Sequence, residues 1–183
     1  PGNSCYHPRL LSMKVAIGDF VVPDNSQCHV DRYDNSEWKL PECYMIWGQN
    51  PVATCNDGNH GHWIIECLKR GSKFIVIDPN YTWLASRAKL WLPIRPGTDG
   101  ALALGMLNVI ISEELYDHNF VEKWTTGFDE LRERAKEYPV ERVSEITWID
   151  KDLIVEAARM YAKAKPAALQ WGVPVDFAPE GFT

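Results

Sequence analysis

Residues 71–82 read GSKFIVIDPNYT, and this stretch decides the fold. Its centre, KFIVI at 73–77, is a short apolar run rich in β-branched residues, bounded by Gly71 and by Asp78-Pro79. That is the pattern of a strand buried on both faces, which alternating amphipathic strands do not show. Upstream, CYMIW at 43–47 is a second such run, ending at Gly48. Between them a polar loop over 49–62 precedes a helical pattern built on Trp63, Ile64, Ile65, Cys67 and Leu68, with Gly71 as its stop. Downstream, 81–88 reads as a short helix and LWLPI at 90–94 as a third strand, which Pro93 assigns to an edge.

Strand, helix, strand, helix, strand predicts an α/β fold: a Rossmann-like, mostly parallel sheet with helices on both faces. The rest of the chain reads as helix-rich. Thr98 or Asp99 is the expected cap of the apolar helix over 100–111, and Asp117 that of a helix reaching Trp124. A further helix is expected over 129–138, stopped by Pro139. Another starts at Asp150, with Leu153, Ile154, Ala157, Ala158 and Tyr161 at helical spacing, and Pro166 ends it. AALQW at 167–171 is then a further strand, ending at Gly172. Two segments are expected: an irregular one over 1–40 and the Rossmann-like unit over 41–183.

Composition narrows the function classes. Of 183 residues 45% are hydrophobic and 24% charged, enough apolar content for one cored domain. The net charge of −6 and the lack of a basic block argue against nucleic acid as partner. The longest apolar run, 101–111, is broken by Gly105 and Asn108 and is too short to span a membrane, so direct membrane insertion is not expected. The chain opens at Pro1 without methionine and is read as a piece of a longer polypeptide, which leaves the compartment open. Five cysteines without a CxxC pair do not make a disulfide framework. Cys43 and Cys67 lie in apolar runs and read as core thiols.

In a parallel sheet ligands sit beyond the carboxyl ends of the strands. Three loops lie there: WGQNP at 47–51, IDPNYT at 77–82 and RPGTDGAL at 95–102. Gly48 admits a close backbone approach, and Asn50 both donates and accepts; an ordinary turn needs the same residues. Asp78 suits ribose hydroxyls and Thr82 a phosphate, or Asp78 merely caps a helix. Asp99 matches the adjacent N1 and N2 donors of guanine, or it is a plain N-cap. With no GxGxxG and no GxxxxGK[ST], an ordinary NAD or ATP site is unsupported.

Taken together and in order, WGQNP at 47–51, GSKFIVIDPNYT at 71–82 and LPIRPGTDGALALGM at 92–106 resemble the molybdopterin oxidoreductases of the dimethyl sulfoxide reductase superfamily. EELYDHNFVEKWTTGFDEL and AKPAALQWG are similar to them too. The resemblance implies a fragment of a catalytic subunit that binds bis-molybdopterin guanine dinucleotide with molybdenum or tungsten. It further implies two-electron chemistry on a small-molecule substrate, with an electron-transfer subunit as a candidate partner. A 4Fe-4S cluster is implied in a region upstream of this chain. Carried over, Trp47, Gly48, Gln49, Asn50 and Pro51 line one nucleotide, Asp78 and Thr82 meet ribose and phosphate, and Gly97, Thr98 and Asp99 meet guanine. In relatives whose ligand is cysteine or selenocysteine, a glycine follows it 13 residues later; here Cys5 precedes Gly18 at that spacing. Cys5 is therefore the expected metal ligand, a soft thiolate donor, and His7 a candidate proton carrier. Some relatives carry an imidazole directly after the ligand, where this chain has Tyr6. A non-redox relative such as a hydratase, or a stand-alone nucleotide-binding domain, remains an alternative. The C-x4-H-x-H-x4-C array of Cys55, His60, His62 and Cys67 has zinc-like spacing but reads better as polar loop residues.

Overall fold

A computed structural model describes residues 7–19, 39–54 and 59–177. Four parallel strands form one sheet in the order β3-β2-β1-β4: β1 Cys43–Trp47, β2 Lys73–Ile77, β3 Leu90–Leu92 and β4 Ala167–Trp171. The register pairs Trp47 with Ile77 and with Trp171, and Ile77 with Leu92, so all four strands end at the same edge. The expected parallel pairing of 43–47 with 73–77 is present, and β3 is an edge strand. It stops at Leu92, before Pro93, which has no N–H for the ladder.

Apolar runs without alternation bury both faces of the sheet. Cys43, Met45, Trp47, Ile75 and Ile77 share one core with Leu102 and Met106 of helix α4 (Asp99–Ser112), Val143 of α7 (Val140–Thr147) and Ile154 and Ala157 of α8 (Lys151–Lys163). Tyr44, Ile46, Phe74 and Val76 face the other core, with Trp63, Ile64 and Cys67 of α3 (Asn59–Lys69) and with Leu84. Helices thus cover both faces. Among the described residues no helix is long and apolar enough to cross a membrane.

Several boundaries differ from expectation, each for a local reason. The loop after β1 holds a helical turn, α2 (Pro51–Thr54): the Asn50 carbonyl accepts from the amides of Ala53 and Thr54, and proline suits a first helical position. The helix α3 starts at Asn59, ahead of its apolar stripe. Residues 81–88 form only a 3-10 turn at Ala85–Arg87, since the Thr82 hydroxyl takes the Ala85 amide and closes the turn early. The helix expected over 129–138 is α6 (Phe128–Lys136), and past Pro139 the chain re-enters a helix, α7, that the sequence reading missed. Pro139 ends one helix and, without an N–H to satisfy, starts the next. The capping carboxylates of Asp117, before α5 (His118–Trp124), and of Asp150 are present, accepting from Phe120 N and Asp152 N. Before these elements, α1 (His7–Ile17) ends at Gly18, whose φ is +85°.

Candidate functional site

Main-chain bonds fasten the four carboxyl ends together. Gly48 N donates to Ile77 O at 2.9 Å, Asp78 N to Leu92 O at 3.3 Å and Gly172 N to Trp47 O at 2.8 Å. The three loops singled out from the sequence therefore leave the sheet side by side. The indole N–H of Trp47 then donates to Asp99 Oδ1 at 2.7 Å, tying the first loop to the third across 52 residues. Gly48, Asp78 and Asp99 thus lie at the carboxyl edge of the sheet.

In the first loop Gly48 has a φ of +60°, a left-handed conformation that disfavours side chains. The short helix α9 (Val173–Phe177) stands over it: a Cβ on Gly48 would lie 3.3 Å from Val175 Cγ2. Pro51 is buried. Gln49 Oε1 and Asn50 Oδ1 are buried acceptors with no hydrogen-bond partner among the described residues. Each such atom costs about 1–3 kcal/mol unless a donor reaches it.

In the second loop Asp78 is 8% exposed. Its Oδ1 accepts the Asn80 amide at 2.7 Å, an Asx turn, and its carbonyl accepts from the Trp91 indole at 2.9 Å. Thr82 Oγ1 accepts from Ala85 N at 3.1 Å, which leaves its O–H free to donate. Both residues thus do local turn-forming work.

The third loop turns at Gly97, φ +79°, where a Cβ would meet nothing within 4 Å. Neither Thr98 nor Asp99 caps α4 through its side chain, contrary to the sequence expectation. Thr98 Oγ1 donates back to the Arg95 carbonyl at 2.7 Å, and Asp99 becomes the first residue of the helix. Its carboxylate is drawn to Trp47 instead, and at a helix N-terminus its charge is favoured by the dipole. Asp99 Oδ2 accepts no bond from the described residues.

The carboxyl end of β4 belongs to the same edge, and the sequence reading did not count it. Gly172 lies so close to the first loop that a Cβ there would stand 2.1 Å from Gly48 O and 3.1 Å from Gln49 Cβ. The signal was available: AALQW reads as a strand and Gly172 follows it, as Gly48 follows CYMIW.

Cys5 lies outside the described residues, and His7 is the first residue of α1. Cys55 also lies outside them. On α3 His60 and Cys67 are buried while His62 points to solvent, so the zinc-like array does not converge. Among the described residues no cluster of three His, Cys, Asp or Glu could hold a metal. A groove of about 780 Å³ opens at the opposite edge, by the amino ends of β1 and β2. There Lys73, Lys89, Lys163 and Arg159, the last paired with Glu113, are interleaved with Glu42, Asp152 and Glu156, which leaves no strong field of either sign.

Known proteins are similar to this chain in sequence, and one solved structure is similar to it in fold. Acetylene hydratase of Syntrophotalea acetylenica is 50% identical over 144 residues, 79% of this chain and 20% of that protein. The F420-dependent formate dehydrogenase subunit alpha of Methanocaldococcus jannaschii is 38% identical over 134 residues, 72% of this chain and 19% of that one. The solved acetylene hydratase from Pelobacter acetylenicus superimposes with a TM-score of 0.67 at 46% identity, covering 74% of this chain and 19% of its own. The chain thus spans about a fifth of the length of its curated relatives. The sequence pattern described as molybdopterin oxidoreductase matches residues 18–173. The chain belongs to the molybdopterin oxidoreductase family, whose members carry molybdenum or tungsten on a pterin cofactor.

Proposed function

We propose that this chain is part of the catalytic subunit of a molybdenum or tungsten enzyme and grips the guanine-nucleotide end of bis-molybdopterin guanine dinucleotide. One observation carries the reading. The three loops that bear the family's sequence pattern leave the sheet at one edge, the first and third joined by the 2.7 Å Trp47–Asp99 bond and the second held beside them by main-chain bonds. The residues there fit a nucleotide. Gly48 and Gly97 take positive φ, the Thr82 hydroxyl can still donate, and the Asp99 carboxylate has one oxygen to spare. The buried acceptors Gln49 Oε1 and Asn50 Oδ1 await donors, which ribose hydroxyls and base N–H groups carry and which a loop adjustment on binding would admit.

Trp47, Gly48, Gln49, Asn50 and Pro51 line one nucleotide. Asp78 and Thr82 serve ribose and phosphate, and Gly97, Thr98 and Asp99 serve guanine. Residues 1–40 bring Cys5 as thiolate ligand to the metal and His7 as proton carrier, while 41–183 form the nucleotide-binding unit. When bound, the metal centre supplies two-electron chemistry. A 4Fe-4S cluster upstream of this chain and an electron-transfer subunit complete the redox route. The test uses full-length protein: metal analysis, and release of GMP from the cofactor by mild hydrolysis. Metal with guanine nucleotide in the parent, and loss of both in Asp99→Ala, is expected. Absence of guanine nucleotide from active, metal-loaded protein would refute the assignment.

A second reading is favoured by identity. The likeness to acetylene hydratase is 50%, against 38% to the formate dehydrogenase subunit. It makes the enzyme a hydratase, adding water across an unsaturated carbon bond without net electron transfer. Turnover of acetylene with no electron acceptor present supports it; strict dependence on an acceptor excludes it.

A further inference from the structure

We propose that Trp47 is a positioning residue for base selection: its indole N–H holds the Asp99 carboxylate in the orientation that reads guanine. This rests on the proposed function, which assigns Asp99 to the base.

The indole is held firmly. Trp47 is the last residue of β1, paired on both sides with Ile77 and Trp171, and is 8% exposed within the core. Its carbonyl accepts from Gly172 N at 2.8 Å, which fixes the backbone carrying the ring. Asp99, half-buried, has no such support of its own. As the first residue of α4 it caps nothing, and its neighbour Thr98 spends its hydroxyl on the Arg95 carbonyl. Among the described residues the Trp47 N–H is the donor that fixes the carboxylate. At 2.7 Å it is in the range of charge-assisted bonds.

The consequence is a choice of which lone pairs remain. An ionised carboxylate is acceptor-only, with roughly four lone-pair sites on two oxygens. One site on Oδ1 is taken; with the indole on the outer side of Oδ1, one acceptor on each oxygen is left along the O–O edge of the group. Guanine offers N1–H and N2–H as adjacent, parallel donors that fit such an edge. Hypoxanthine keeps N1–H but lacks the exocyclic amine, and adenine presents an acceptor at N1. A carboxylate free to rotate would meet both donors only part of the time. The indole therefore converts a flexible acid into a fixed two-point acceptor. A purely mechanical role, stapling β1 to α4, would use the same bond, so the experiment must separate base preference from stability.

Full-length apoprotein is titrated calorimetrically with GDP, IDP and ADP. The parent should prefer GDP over IDP by on the order of tenfold or more, since the site's second acceptor goes unpaired with IDP. Replacing Trp47 with benzothienylalanine keeps the ring's shape and swaps the N–H for sulfur; Trp47→Phe is the genetic counterpart. Both should bring the GDP:IDP ratio down several-fold, the isostere with little change in thermal midpoint. Asp99→Asn should remove the preference. An unchanged ratio in the isostere, whatever its midpoint, overturns the inference and leaves the guanine assignment standing. A parent that binds GDP no better than IDP, or not at all, counts against that assignment, and the inference falls with it.

Discussion

A Cβ on Gly172 would lie 2.1 Å from the carbonyl oxygen of Gly48, so the chain leaving β4 presses against the loop leaving β1. The obstacle is backbone and not the tip of a side chain. Glycine is required there by proximity, as it is at Gly48 by a φ of +60°.

Gly172→Ala must therefore push the two strand ends apart. Overpacking of this kind costs about 1–3 kcal/mol. It should also displace Gln49, whose Cβ is 3.1 Å from the added methyl, and lower the cofactor content of full-length protein under the proposed function. Chemical denaturation and metal analysis check the two effects. A parent-like denaturation midpoint would mean that the loops part freely.

On the covered face, Gly105 of α4 meets Val143 of α7. A Cβ there would stand 2.7 Å from Val143 Cγ2 and 2.9 Å from Cγ1, and Val143 is fully buried. A β-branched side chain in a packed core has one comfortable rotamer, so it cannot swing aside. Gly105→Ala should cost about 1–3 kcal/mol. Combined with Val143→Ala it should cost less than the sum of the two single changes, because the smaller partner makes room. Strict additivity in denaturation midpoints would place the strain elsewhere.

Much of this fold was legible because its strands are short unbroken apolar runs with a glycine, Asp-Pro or proline at their ends. KFIVI and CYMIW could form little else, and their adjacency followed from the helix between them. Helix boundaries were harder. Pro139 reads as a stop, and nothing local says that it is also a start; Val143 and Thr147 become informative only once α4 is in place to bury them. At the site, the loops were legible as positions beyond strand ends, and the family pattern named their residues. The tertiary bonds were not. Asp99 looked like a cap because cap residues are acids at helix starts, but the indole of Trp47, 52 residues away, competes for its carboxylate and wins. The role of Gly172 depends on a through-space approach that the sequence pattern alone does not disclose.

Cys43 gives the fold a dependence on alkaline pH. Burial pushes its thiol up from an ordinary 9.0 to about 11, against a smaller opposing pull from Lys73. The folded state thus holds this proton more tightly than the unfolded chain. Its contribution to stability is complete below about 9 and is lost as pH rises through about 11. Tyr161, raised first by burial and then by the Cys43 charge, acts in the same direction. Thermal midpoints should therefore fall between pH 9 and 11, and less steeply in Cys43→Ala. An identical slope in that variant would assign the loss to other groups. At neutral pH the buried thiol should also resist alkylation.

Cys5 bears the proposal that joins this chain to the metal, in the intact enzyme. A thiolate is a soft donor matched to such a metal, and binding would keep it deprotonated. Cys5→Ala should abolish turnover while the strand-end loops, which are remote in sequence and contain none of its atoms, keep most of the cofactor. Cys5→Ser retains a donor but exchanges soft sulfur for harder oxygen; it should shift the metal's potential and leave altered, residual activity. X-ray absorption at the metal edge separates ligation from coincidence. The parent should show one sulfur scatterer beyond those of the pterin, and Cys5→Ala should lack it. If Cys5 is incidental, both variants turn over like the parent and the sulfur shell does not change, and the spacing to Gly18 carries no meaning.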